Sequence, residues 1–231
     1  MRQIVLDTET TGLDPAEGHR IVEIGAVELV GHMTTGKTFH QYINPLRDMP
    51  AEAERVHGLS QSFLDGFPPF EEIASEFLAF IDNSQLIIHN AGFDLRFLNA
   101  ELARFGHNTI PEERSIDTLS MARRRFPGSP ASLDALCRRF GIDNASREKH
   151  GALLDSELLA QVYLELIGGR QPDFILETRP IGRTSPTQTD NWKPGRRPRP
   201  LPVRLHPDEM KAHARLVEEI GEKAIWTRRS S

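Results

Sequence analysis

The sequence predicts an α/β protein: a mixed sheet, made of an antiparallel meander and parallel strands, covered by helices and followed by a flexible C-terminal tail. Three observations predict it. β-rich runs follow one another near the start with only short breaks, strand and helix patterns alternate after residue 69, and the composition changes beyond Gly168-Gly169.

Arg2 to Asp7 reads as a short buried strand, and Ile21 to Val30 and Thr38 to Asn44 as strands richer in β-branched residues. Gly12-Leu-Asp-Pro15 and Val30-Gly-His-Met33 supply the breaks between them. From Pro69 to Asp82, Phe70, Ile73, Ala74, Phe77, Leu78 and Ile81 recur at helical spacing and mark an amphipathic helix. Leu86-Ile-Ile-His-Asn90 then reads as a buried strand, Phe93 to Phe105 as a helix and Ser115 to Thr118 as a short strand. Helices are expected over Leu119 to Arg125, Leu133 to Phe140 and Ala152 to Ile167. These elements define a domain over 1–169. Residues 170–206 read as a Pro/Arg-rich linker, and 207–231 as a terminal segment whose helix starts at Pro207 and runs to about Lys223.

Charge is unevenly spread. From Gly168 onward there are 13 Lys plus Arg against 8 Asp plus Glu, a net of +5, so the remainder of the chain carries −10. A domain that binds nucleic acid unaided is normally basic, whereas an acidic one can act on phosphates if bound cations invert the local potential. No stretch approaches the length of a membrane span, and no signal-peptide core precedes Asp7, so no membrane partner is expected. The single cysteine, Cys137, excludes an internal disulfide, suits a reducing cytoplasm and falls on an apolar helical stripe that predicts a packing role.

Several carboxylates occupy positions that packing would give to apolar side chains. Asp7 and Glu9, two apart at the end of the first strand, project from one face. Asp94 has Phe97 and Leu98 at i+3 and i+4, and Asp155 has Leu158, Leu159 and Val162 at i+3, i+4 and i+7. A carboxylate facing a core is costly unless hydrogen-bonded, ion-paired or metal-bound. No buried Arg or Lys at matching periodicity offers itself as a partner. Converging carboxylates without cysteine favour Mg²⁺ or Mn²⁺. His150 lies five residues before Asp155, about 140° away on an unbroken helix. Sharing one site therefore requires His150 to sit on the loop or first turn entering that helix, where its pKa suits a general base. Asp117, another strand-end acid, is expected to support the site or the fold rather than bind metal.

Three segments, Asp7-Thr-Glu-Thr-Thr-Gly12, His89-Asn-Ala-Gly-Phe-Asp94 and His150-Gly-Ala-Leu-Leu-Asp155, closely resemble in order and separation those of the DEDDh exonucleases. Within that family the chain is similar to the proofreading enzymes of bacterial replicative DNA polymerases. The resemblance implies a ribonuclease-H-like fold and stepwise release of deoxynucleoside monophosphates from a mispaired 3′ terminus. It implies two divalent cations, Mg²⁺ or Mn²⁺, held by Asp7, Glu9, Asp94 and Asp155, with His150 taking the proton from the attacking water. Substrate contacts are implied at Asp7, Thr8, Glu9, Thr10, Val56, His57, Asn90, Phe93 and Asp155, the ligand being the single-stranded 3′ end of DNA.

The tail is expected to supply the docking that an acidic domain lacks. Gln171, Phe174 and Leu176 form a possible sliding-clamp peptide, and the segment containing Leu216 and Trp226 resembles the part of such enzymes that docks on the polymerase (alpha) subunit. The alternatives are an exoribonuclease of the same superfamily trimming RNA 3′ ends, and a non-catalytic adaptor that keeps the fold as a scaffold.

Overall fold

A computed structural model describes residues 1–144, 149–168 and 206–221. Strands β1 (Arg2–Thr10), β2 (Ile21–Val30) and β3 (Met33–Tyr42) form an antiparallel meander, to which β4 (Gln85–Ile88) and β5 (Ser115–Asp117) add in parallel. The order across the sheet is β3-β2-β1-β4-β5. Two short helices, α1 (Ala51–His57) and α2 (Gln61–Leu64), connect β3 to α3 (Phe70–Ile81). The chain continues through α4 (Ala91–Arg104), α5 (Thr118–Arg125), α6 (Leu133–Phe140) and α7 (Ala152–Leu166).

Alternation along β1 sorts the helices into two layers. Ile4 and Leu6 join Phe70, Phe77, Phe97 and Leu98, so α3 and α4 cover one face. Val5 joins Leu136, Leu159 and Val162, so α6 and α7 cover the other, together with α5 through Ala122. Asp7 and Glu9 share the parity of Val5 and belong to the α7 side, whereas Thr8 shares that of Leu6 and belongs to the α4 side. The pairing of β1 with β4 covers only Gln3 to Val5 opposite Gln85 to Ile87. Beyond Val5 the carboxyl ends of these two strands part, and open sheets of this kind take their ligands in such a gap.

The structure departs from the expected elements in four places. β1 runs three residues beyond Asp7, so Glu9 and Thr10 lie within the strand. β3 begins at Met33 rather than Thr38, because Gly31 and His32, both at positive φ (58° and 66°), make a two-residue turn. The first part of this edge strand is exposed on both faces and so carries no apolar alternation. Helices α1 and α2, of 7 and 4 residues, were not expected. Finally, a buried cation is present: Arg20 (7% exposed) pairs with Glu101 (3%) through Nε–Oε1 at 2.5 Å and Nη2–Oε2 at 2.7 Å. This pair ties the loop after β1 to α4 and does not reach the metal-site acids.

Cys137 is fully buried in the second core. Among the described residues no helix is long and apolar enough to cross a membrane. The chain divides into two compact units, and the described part of the second contains α8 (Pro207–Ile220), begun by Pro207 at its first position and capped at that same end by a His206–Glu209 capping box. Gln171, Phe174, Leu176, Trp226 and most of the expected linker lie outside the described residues.

Candidate active site

Asp7 and Glu9 reach the gap from β1, Asp94 from the first turn of α4, and Asp155 from the first turn of α7. Together with His150 they line a single cleft of about 580 Å³. Two local features bring the helices in. Thr8 binds one oxygen of Asp94 twice, its backbone N–H donating to Oδ1 at 3.1 Å and its hydroxyl at 2.7 Å. On the other face α7 lies directly on β2 at Gly25, the residue paired with Asp7, where a Cβ would collide with backbone atoms of Ala152 and Leu153. The Ser156 hydroxyl donates to the Gly25 carbonyl at 2.9 Å and holds this contact in register.

Asp94 and Asp155 are 3% and 2% exposed, in helical stripes that are otherwise apolar except for Glu101 on α4 and Ser156 on α7. Burial pushes the Asp94 carboxyl up to about 7, against the stabilising hydrogen bonds from Thr8, and the charge of Asp117 adds to the rise. Asp117 itself is held below the usual carboxylate range, burial being outweighed by hydrogen bonds from the Ser120 hydroxyl and the Asn90, Leu119 and Ala91 N–H groups. It therefore caps α5 and also fastens Asn90, which takes the left-handed conformation (φ 69°, ψ 52°) that starts α4.

His150 stands before α7, whose N-cap is Gly151, so it escapes the angular separation a continuous helix would impose. Its N–H donates to the Val56 carbonyl at 3.3 Å, which seats the loop on the end of α1. Its Nδ1 lies 3.4 Å from Asp155 Oδ2. Glu9, His150 and Asp155 each offer one ligand atom within 4.8 Å of the others. Oxygen donors dominate this set, and the buried Asp94 can ionise cheaply only beside a positive charge, so the residues fit divalent cations.

The remaining expected contacts differ among themselves. Val56 is 51% exposed, whereas the adjacent His57 is buried. Burial, with help from the charges of Lys149 and His150, lowers the His57 pKa to about 4 despite an opposing contribution from the Thr10 backbone. His57 Nδ1 accepts from Leu59 N–H at 3.0 Å, so the neutral ring carries its proton on Nε2, a buried atom. Thr8 spends its hydroxyl on Asp94, and Thr10 donates its own to the Gly12 carbonyl at 2.6 Å. Phe93 rests on Phe97 with ring centroids 5.0 Å apart and, with Asn90, borders both this cleft and a neighbouring cavity of about 890 Å³. Sequence reasoning missed one wall of the cleft, where His89, Arg123, Ser132 and Asp134 stand. No periodicity signals these residues, because they come from a strand end and from two helices of 8 residues each, Arg123 on α5, Ser132 as the N-cap of α6 and Asp134 in its first turn.

The family described as Exonuclease matches residues 4–163 of the chain. The chain belongs to this exonuclease family. Relatives include DNA polymerase III subunit epsilon of Rickettsia conorii, 59% identical over 177 residues that make up 75% of this chain and 77% of that protein. The subunit of the same name from Escherichia coli is 48% identical over 177 residues, 73% of this chain and 72% of the relative. The exonuclease is thus a metal-dependent 3′→5′ enzyme of the epsilon type. Its fold recurs in the nuclease domain of 3′hExo, a DEDDh family member bound to rAMP, with a TM-score of 0.62 at 20% identity over 72% of this chain and 91% of that one. Exonuclease X in complex with 5′ overhanging duplex DNA has a TM-score of 0.56 at 23% identity, covering 71% and 90%.

Proposed function

We propose that this exonuclease proofreads for a replicative DNA polymerase III, removing mispaired 3′-terminal nucleotides as deoxynucleoside monophosphates. Asp7, Glu9, Asp94 and Asp155 are assigned to two Mg²⁺ or Mn²⁺ ions, and His150 to the proton of the attacking water. The observation that carries the assignment is the convergence of Asp94 and Asp155, both almost fully buried, on a strand-end Asp7-x-Glu9 and a loop histidine. Bound there, the ions supply a lowered water pKa and neutralisation of charge on the scissile phosphate.

The chain's own groups do the rest. His150 is half exposed, with an Asp155 oxygen near Nδ1, an arrangement that orients the ring toward the cleft. Thr8 fixes Asp94, and Asp117 fixes the Asn90 turn against which the terminal nucleotide rests. Phe93 offers an apolar face to a base or sugar. His57 is buried and is assigned to hold the loop that carries the exposed Val56 toward the terminal nucleotide. The test is Mg²⁺-dependent degradation of a 3′-mismatched primer-template, compared with Asp7→Ala and with RNA of the same sequence. Loss in the variant and preference for DNA are expected; full activity in Asp7→Ala, or activity without divalent ions, refutes the assignment.

We further propose the division 1–169, 170–206 and 207–231 into nuclease, linker and docking segment, acting in the cytoplasm. The −10 charge of the nuclease part disfavours tight, independent DNA binding, and delivery of DNA is assigned to a partner. Gln171, Phe174 and Leu176 are assigned to a sliding clamp, and Leu216 and Trp226 to the polymerase alpha subunit. In support, α8 has no buried residue and exposes Met210, Leu216 and Ile220, a helix that needs a partner. A tail-less chain should keep its activity on short single strands and lose it within the polymerase assembly; equal loss in both assays refutes the tethering role.

A further inference from the structure

The metal cleft is lined by five carboxylates, those of Asp7, Glu9, Asp94, Asp134 and Asp155, but by a single arginine or lysine among the described residues, Arg123. Arg123 is exposed at the sixth position of α5 and makes no hydrogen bond or ion pair among the described residues. Nearby cations are already engaged. Arg125 donates to the carbonyls of Glu165 at 3.0 Å and Leu166 at 2.5 Å, and Arg139 lies 4.4 Å above the Phe126 ring.

The helix that presents Arg123 is held at both ends. Asp117 caps its start and binds the Asn90 turn, and Arg125 fastens its end to α7, while Ala122 beside Arg123 is fully buried. Arg123 is therefore a cation set at a fixed place on the wall of an acidic cleft, with its guanidinium uncommitted. In the proposed centre two divalent ions would balance the four carboxylates in charge and would take up the scissile phosphate. Each further phosphate of a strand entering the cleft brings one negative charge into a domain that is already acidic. Arg123 is the permanent cation placed to meet it, and its planar fork suits two phosphate oxygens at once.

We infer that Arg123 binds the backbone phosphate on the 5′ side of the scissile one, the first that an oligonucleotide has and a single-nucleotide ester lacks. The inference rests on the metal-hydrolase reading of the cleft, and two substrates separate them. The p-nitrophenyl ester of thymidine 5′-monophosphate tests the metal centre alone, whereas an oligothymidylate adds the strand. In Mg²⁺, Arg123→Ala should hydrolyse the ester within about twofold of the wild-type rate while KM for the oligothymidylate rises about tenfold with little change in kcat. The log–log salt dependence of kcat/KM for the oligonucleotide should flatten by about 0.7, the slope of one single-strand phosphate contact. Binding of a fluorescein-labelled oligothymidylate in Ca²⁺, read by anisotropy, should weaken by the same factor, with Arg123→Lys in between.

Arg124→Ala, on the same helix but away from the cleft, should change nothing. Unchanged oligonucleotide kinetics or an unchanged salt slope in Arg123→Ala overturns the inference. So does an equal loss on the ester, which would place Arg123 on the scissile phosphate or in the fold. Failure of the wild-type enzyme on the ester in Mg²⁺ removes the metal-hydrolase reading itself, and the inference with it.

Discussion

Gly25→Ala is expected to disable the enzyme although Gly25 touches no substrate. An added Cβ would overlap the Ala152 carbonyl and the Leu153 nitrogen, backbone atoms that cannot swing aside, whereas ordinary contact begins at 3.4 Å. Relieving the overlap requires α7 to move off β2 by about 1 Å. The displaced segment is the first turn of the helix, and that turn carries Asp155. Overpacking of this kind costs about 1–3 kcal/mol, which for a chain of this size lowers Tm by roughly 2–10 °C. The effect on chemistry is larger, since a 1 Å misplacement at a reacting centre costs about 100-fold. The assay is Mg²⁺-dependent hydrolysis of an oligonucleotide well below the melting temperature, with circular dichroism to verify folding. Gly66→Ala, whose Cβ would meet nothing nearer than the Phe63 carbonyl at 3.9 Å, is the control and should leave activity unchanged. Wild-type activity and Tm in Gly25→Ala would refute the argument that glycine is needed to seat α7.

Further predictions concern protons, metal and the α4 turn. The His57 ring should stay neutral on acidification to about pH 5, because its pKa lies near 4. The unfolded chain takes up this proton first, so the contribution of His57 to stability is complete above about 6.5 and is lost as pH falls toward 4. NMR titration checks this, and a midpoint near 6.5 contradicts it. Chelation with EDTA should abolish activity, and adding Mg²⁺ back at pH 6–7 should release protons, since a carboxyl held up to about 7 must ionise to bind metal. Without metal, the same raised pKa costs stability as pH rises from about 4 to about 7. Calorimetry in buffers of different ionisation enthalpy measures the release, and buffer-independent heats would count against it. Asp117→Ala removes the cap of α5 and the tether of Asn90, and should cost about 1–2 kcal/mol; an unchanged urea midpoint would show that the tether bears no load.

Much of this architecture is legible in the sequence because apolar periodicity marks long, half-buried elements well. Residues 70–81 announce α3 in this way, and Asp155 stands out because its neighbours at i+3, i+4 and i+7 are apolar. The same logic fails where burial is one-sided or brief. Helix α1 is 7 residues long and buries only His57, so Val56 and His57 are visible only through the family resemblance. The outer half of β3 faces solvent and reads as loop. The Arg20–Glu101 pair joins residues 81 apart, and nothing local to either predicts that a cation lies buried there. Asp117 could be placed at a strand end, but its double duty toward α4 and α5 depends on β4 and β5 lying side by side.

The contact at Gly25 also sets the order in which the enzyme comes into being. Two of the proposed metal ligands lie within the first ten residues, yet Asp155 is on α7 and joins them only when that helix docks on β2. A nascent chain can form the meander and the first helical layer early, from contacts of short sequence separation. The proposed four-carboxylate centre closes with the final docking step. Synthesis therefore passes through every shorter, partly folded state with the nuclease unassembled, and catalytic competence arrives together with the finished domain.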